Sequence, residues 1–271
     1  MKLSVTTWSF PQLSLKEVGG LASVLGLDGI DVGLFYASAL DKQKILTSPD
    51  AYGAEVAQTA GVPVANYYHL FGDGLAERNL ALPQDPQNLE DLNAVLRFAK
   101  AAGAPSIFIL PGLINPGQSR REAFNASAAA LRPLVEAGQA EGVAVTIEPH
   151  VHGLIESVDM VHEIVDKVPG LKITLDLAHF VSLGFRQDEI ETLAPYAGHV
   201  HLRQAKQGHL QSKTEEGTIN FASLLGALRD ARYVGWLAIE YVHQAYMNTL
   251  YDDVLTETVK MRDLVRDWQS K

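Results

Sequence analysis

Short apolar runs recur along the chain, and between them lie stretches with a different hydrophobic rhythm. The runs occupy residues 3–8, 29–34, 63–69, 106–111, 143–148, 172–176, 199–202 and 236–240. Each is short enough for a strand and apolar enough to be covered on both faces, as strands of a parallel sheet are. The intervening stretches space their apolar residues as a helix does. Leu15, Val18, Leu21, Ala22 and Leu25 mark the first helix, and Leu89, Leu92, Val95, Leu96 and Ala99 the third. A long helix over 121–141 carries Phe124, Ala128, Leu131, Leu134 and Val135. Phe221, Leu224, Leu225 and Leu228 mark the seventh, and Val254, Val259, Leu264 and Val265 the last; the second, near 50–60, has a weaker pattern. Gly61, Gly103, Gly142 and Gly170 fall just after helices, where a left-handed cap is wanted. Strict strand–helix alternation predicts a parallel sheet with right-handed crossovers. Eight such units predict a single α/β domain over residues 1–271, closed into a (β/α)8 barrel. No glycine-rich phosphate fingerprint follows the first strand, which argues against dinucleotide binding. Two long loops, 71–87 and 204–218, follow strands and so belong to the face where such barrels place their chemistry.

Four predicted strands end on good ligands for a hard metal ion: Glu148, Asp176, His201 and Glu240. Their spacings of 28, 25 and 39 residues are about one strand–helix unit each, which places them on strands five to eight. In a closed barrel those strand ends converge on one mouth. Three carboxylates and one imidazole suit a single divalent cation: Mn²⁺ is the expected ion, with Mg²⁺, Co²⁺ or Zn²⁺ as other candidates. The plain alternative is that these groups cap helices or pair with Arg and Lys. Four together at equivalent positions favour the metal site.

Charge narrows the partners. A net charge of −10 opposes nucleic-acid binding, which needs a basic surface. The chain has no cysteine, so neither disulfides nor thiolate metal sites arise. No apolar run approaches the roughly 18 residues needed to span a membrane. The first residues lack a signal-peptide pattern, and a cytoplasmic location is the expectation. Apolar outer helices leave room for a homo-oligomer.

The elements Ile147-Glu-Pro, Leu175-Asp-Leu-Ala-His, His199-Val-His-Leu-Arg and Ile239-Glu-Tyr resemble those of the sugar isomerase/epimerase superfamily with a xylose-isomerase-like barrel. Relatives in that group include ketose 3-epimerases, inosose dehydratase, hydroxypyruvate isomerase and 3-keto-glycoside epimerases. The resemblance spans nearly the whole chain and is strongest from Val143 to Val242. The stretch Gly217-Thr-Ile-Asn-Phe is similar to the family's Gly-x-Ile-Asp-Phe, with Asn220 in place of Asp at a helix cap. The resemblance implies that Glu148, Asp176, His201 and Glu240 bind the metal. It also implies that Glu148 and Glu240 act as an acid/base pair on opposite faces of a sugar or keto-sugar, through a metal-held enediolate.

Other residues are candidates to touch substrate. The resemblance makes His179, three residues after Asp176, a partner of a substrate hydroxyl or of a ligand. Arg203 follows His201 by two residues and shares its face. His150 can orient substrate, His69 ends the third strand, and Trp8 ends the first, where it can stack on a sugar. His199 points to the opposite face from its neighbour and reads as structural. The 204–218 loop offers Lys206 and Lys213 but no clear phosphate cradle, so an unphosphorylated sugar, keto-sugar or cyclitol is expected under that loop, Gln211 and the 71–87 loop. The same residues allow three rival readings: a metal-dependent lyase, dehydratase or hydrolase on keto-sugars, keto-glycosides or inososes; an endonuclease IV-like phosphodiesterase; and a non-catalytic sugar-binding barrel. The phosphodiesterase is disfavoured because strand four ends Ile-Leu-Pro-Gly without histidine.

Overall fold

The eight apolar runs form eight parallel strands, paired in sequence order, and β1 pairs with β8 to close the barrel. The structure, a computed structural model, describes residues 1–35, 38–243 and 253–271. The strands are β1 Lys2–Thr6, β2 Gly29–Gly33, β3 Val64–Tyr68, β4 Ser106–Ile109, β5 Ala144–Ile147, β6 Lys172–Asp176, β7 Ala197–Leu202 and β8 Trp236–Ile239. The described helices are α1 Leu15–Val24, α2 Lys42–Thr47, α3 Pro49–Ala60, α4 Pro86–Ala102, α5 Arg120–Glu141, α6 Val158–Lys167, α7 Leu177–Ser182, α8 Gln187–Glu191, α9 Phe221–Asp230 and α10 Val254–Gln269. None of them is long and apolar enough to cross a membrane. The short helices α2, α7 and α8 leave no mark in the hydrophobic spacing, because six residues or fewer hold too little of the helical period to register.

Local chemistry sets the helix boundaries. Ser14 and Ser119 open α1 and α5 with reciprocal capping boxes to Glu17 and Glu122. Gly61, Gly103 and Gly142 end α3, α4 and α5 in the left-handed region, where a side chain would be strained. Gly170 is also left-handed, but it lies past the Val168 cap of α6. Asn220 caps α9 by accepting from the Ser223 backbone N–H.

The main core lies outside the barrel, between the sheet and the helices. Leu3, Val5, Ile30, Val32, Ile107, Ile109, Val145, Ile147, Ile173, Leu175, Val200, Leu202, Leu237 and Ile239 pack there against residues such as Val18, Leu92, Leu131 and Leu224. The alternate strand positions are polar yet buried: Ser4, Asp31, Asn66, Ser106, Thr146, Thr174 and His199. Successive strand residues point to opposite faces, so these line the barrel interior. Asp31 on β2 meets His199 across the barrel, and Thr146 meets Thr174 at 2.8 Å. Branched apolar side chains usually fill this space. Here the apolar face of each strand is turned towards the helices.

Candidate active site

The site is the next interior layer, at the C-terminal ends of the strands. Glu148 directly follows β5 and Glu240 directly follows β8; Asp176 ends β6, and His201 lies on β7. One ligand atom from each lies within 4.8 Å of every other, and all four residues are buried. His201 Nδ1 is 2.8 Å from Glu148 Oε1 and 3.2 Å from Glu240 Oε2. Arg203 Nη2 donates to Asp176 Oδ2 at 2.7 Å and lies 3.4 Å from Glu240 Oε2. Asp176 Oδ1 accepts from the Ala178 N–H and so starts α7. The donor set fits a divalent cation. Its oxygens and imidazole nitrogen converge, and Glu240 Oε2 is buried without a hydrogen-bond partner.

Charge is concentrated in this layer. Burial works against a charged His201, but the Glu240 and Glu148 carboxylates prevail and hold its pKa well above the ordinary value. Burial likewise opposes the Glu240 carboxylate, and His201 and Arg203 outweigh it, keeping its pKa well below the usual range. Burial pushes Asp176 up to about 6 against the pull of Arg203. His150 and His179 are both lowered, first by burial.

A cavity of about 360 Å³ opens above the cluster. Glu148, Glu240, Arg203 and His150 face it at one end. Phe35, Leu75, Leu110, Leu113, Leu210 and Val242 are among its apolar walls. Trp8, Tyr68, Phe108 and Val242 form a small apolar cluster of their own at the mouth, apart from the main core. Tyr68 and Phe108 stack at 4.6 Å.

The predicted residues fall into place unevenly. Trp8 lies in a 3₁₀ turn just past β1 rather than on the strand, and its Nε1 donates to Glu240 Oε1 at 2.7 Å. His150 reaches the cavity, with its ring 4.0 Å from that of His179. His179 stands behind, 3.0 Å from Arg203 Nη2 and 3.3 Å from the Val151 N–H. Gln211 brackets the Val242 backbone with two hydrogen bonds of 2.8 Å and is not among the cavity-lining residues; Leu210 and Leu75 bring the two long loops there instead. His199 shares the inward face of His201, with the rings 5.3 Å apart. Asp31, Tyr68 and Phe108 join the site without standing out in the sequence; only Asp31 has a local signal, as the charged residue in Gly29-Ile-Asp-Val-Gly.

The expectation for His69 is corrected. Strand parity turns Tyr68 inward, so Tyr67 and His69 face outward. His69 Nδ1 lies 3.1 Å from the Tyr67 hydroxyl, and its ring meets the edge of Phe71, outside the cavity. Burial, with Lys42 and Arg78 nearby, lowers its pKa from 6.5 to about 3. The folded chain therefore keeps His69 neutral while the unfolded chain protonates it. Its contribution to stability is complete above pH 6.5 and is lost as pH falls towards 3, at about 1.4 kcal/mol per pH unit. Thermal melts between pH 7 and pH 4 should show a shallower fall for His69→Phe than for the wild type. Equal slopes would refute this account.

Fold and site together define a parallel barrel with an acidic, imidazole-containing cluster at its mouth. The chain belongs to the xylose isomerase-like TIM barrel family, which it matches over residues 20–260. A human protein provisionally named hydroxypyruvate isomerase is 26% identical over 257 residues, 87% of each chain. Among solved structures, D-psicose 3-epimerase of Clostridium cellulolyticum H10, crystallised with D-tagatose, superposes with a TM-score of 0.75 at 18% identity, covering 98% of both chains. The 3-keto-D-glucoside 4-epimerase of E. coli gives 0.69 at 15% identity, over 96% of this chain and 99% of its own. At these identities the structural likeness speaks for the fold.

Proposed function

We propose that the protein is a divalent-metal-dependent isomerase or epimerase of a small, unphosphorylated sugar or keto-sugar. Glu148, Asp176, His201 and Glu240 hold the ion, and Glu148 and Glu240 move the proton. The observation that carries this reading is the cluster itself: four convergent ligands, two of which also face the cavity. A bound Mn²⁺ or similar ion supplies Lewis-acid polarisation of a carbonyl.

The remaining work falls to the chain. One glutamate takes the proton from the carbon beside the carbonyl, and the released electron pair moves to the carbonyl oxygen as an enediolate. Return of a proton to the same carbon from the opposite face, by the other glutamate, inverts that carbon. Return at the former carbonyl carbon, with the neighbouring hydroxyl passing its proton to the old carbonyl oxygen, isomerises the sugar instead. Arg203 adds fixed positive charge beside Glu240, and His150 offers an imidazole at the same end of the cavity. The aromatic wall of Trp8, Tyr68 and Phe108 excludes water and gives a sugar ring apolar faces to rest on. The apolar lining also supports an uncharged substrate over a sugar phosphate or a phosphodiester.

Mn²⁺-loaded protein incubated with ketoses, 3-keto-glycosides and inososes, and separately with a phosphodiester, tests this reading. An epimer or aldose–ketose isomer as product supports it. Elimination as the sole reaction would make the protein a lyase, which shares the first proton transfer, and cleavage of a phosphodiester would overturn the reading altogether.

Trp8 gives a second test. Its hydrogen bond to a buried carboxylate orients Glu240, and Trp8→Phe keeps the apolar contacts while removing the N–H. A charge-assisted bond of about 1.5 kcal/mol corresponds to a roughly tenfold loss of kcat/KM. The melting temperature should fall by only a few degrees, because the fold loses one donor to a buried carboxylate oxygen. Unchanged kcat/KM would remove Trp8 from the mechanism.

A further inference from the structure

Beneath the four ligands, and sharing His201 with them, lies a second buried group whose other members the proposed proton transfers do not use. Atoms of Asp31, His199 and His201 lie within 4.8 Å of one another, in residues with almost no exposure. Ser4 Oγ donates to Asp31 Oδ1 at 2.6 Å. Asp31 Oδ2 is 2.6 Å from His199 Nε2 and 3.9 Å from His201 Nε2. His201 therefore meets carboxylates on both edges of its ring: Glu148 and Glu240 at Nδ1, Asp31 on the Nε2 side. Its Nε2 has no hydrogen-bond partner.

We infer that Asp31 is a positioning residue for the metal site, acting through His201. An imidazole that ligates through Nδ1 carries its remaining proton on Nε2. A carboxylate on the Nε2 side stabilises that tautomer, fixes the ring plane and makes Nδ1 a better donor. At 3.9 Å the contact is Coulombic rather than a hydrogen bond, but in the barrel interior it is weakly screened. Ser4 anchors one oxygen of Asp31. His199 competes with His201 for the other.

The rival explanation is a polar plug in which Asp31 and His199 simply satisfy each other. The two differ in what Asp31 does for the ion. A buried carboxylate is costly wherever an apolar side chain would fill the space. A plug would need only a neutral pair of the same shape. Support for His201 needs the negative charge of Asp31 itself, whether or not His199 is present.

This inference rests on the proposed metal ligands, and one titration separates the two. Full-length protein stripped of metal is titrated with Mn²⁺, following the electron paramagnetic resonance signal of the free ion. Wild type, Asp31→Asn and His199→Phe are compared, each with a circular dichroism spectrum and a thermal melt. Asp31→Asn should bind Mn²⁺ about tenfold more weakly, the low end of the effect of removing a carboxylate behind a ligating histidine, because this contact is Coulombic. His199→Phe should bind as tightly as wild type or tighter, since it removes the competitor and keeps the charge. Equal affinity in wild type and Asp31→Asn overturns the inference and leaves the ligand assignment standing. If Asp31→Asn does not fold, His199→Phe decides: weaker binding there means that the pair acts as a unit, and overturns the inference. A wild type that binds no Mn²⁺ overturns both.

Discussion

Glu240→Gln should fold normally and lose at least about 10³-fold in kcat, at the upper end of what a positioned acid or base contributes. The amide matches the carboxylate in shape, and its oxygen can still accept from Trp8 Nε1, now 2.7 Å from Oε1. It can neither take up a proton nor match the charge that Glu240 presents to His201 and Arg203. The fold tolerates the loss because each cation keeps another partner: His201 retains Glu148 at 2.8 Å and Arg203 retains Asp176 at 2.7 Å. Mn²⁺ affinity should fall as well, since one oxygen ligand is gone. The checks are kcat, a thermal melt and an Mn²⁺ titration on the same preparation. Normal turnover in this variant would sink the proposed mechanism.

Chelation should have an effect of similar size. Protein treated with EDTA and desalted should turn over at under about 1% of the loaded rate, because polarisation of a carbonyl by the ion is worth several kcal/mol in the transition state. Adding Mn²⁺ should restore the rate. The ion should also stabilise the fold, by about 2.7 kcal/mol at a hundred times its dissociation constant. A bound cation relieves three buried carboxylates that the stripped protein leaves to share His201 and Arg203. Full activity without metal would contradict the ligand assignment, and an unchanged melting temperature on loading would contradict binding at a buried site.

Much of this architecture is readable from residue order. Every strand end falls within two residues of the end of its apolar run, because a buried parallel strand leaves a continuous hydrophobic signal. The four convergent ligands follow from the same signal, since closure of a barrel brings equivalent strand ends together. What was lost is parity. A run that averages as apolar hides its alternate polar positions, such as Ser4, Asp31, Asn66, Thr146 and Thr174, that line the barrel interior. The same averaging also places His69 in the pocket, although its neighbour Tyr68 is the residue turned inward. The aromatic wall escaped for a different reason. Phe35, Tyr68 and Phe108 come from three separate strand ends, and nothing in their local sequence distinguishes a cavity wall from a core. Loop residues were least legible of all. Gln211 turned to the backbone of Val242, and Leu75 and Leu210 took the places at the cavity, because contacts between loops depend on the finished barrel.

The most direct test of the central claim is deuterium wash-in. Mn²⁺-loaded protein is incubated in D₂O with D-ketoses and 3-keto-glycosides, and each compound is followed by proton NMR. At least one substrate should lose the signal of the hydrogen on the carbon beside the carbonyl, dependent on metal and not in Glu240→Gln. Conversion of a substrate with no deuterium entering at that carbon would contradict proton transfer by the glutamate pair.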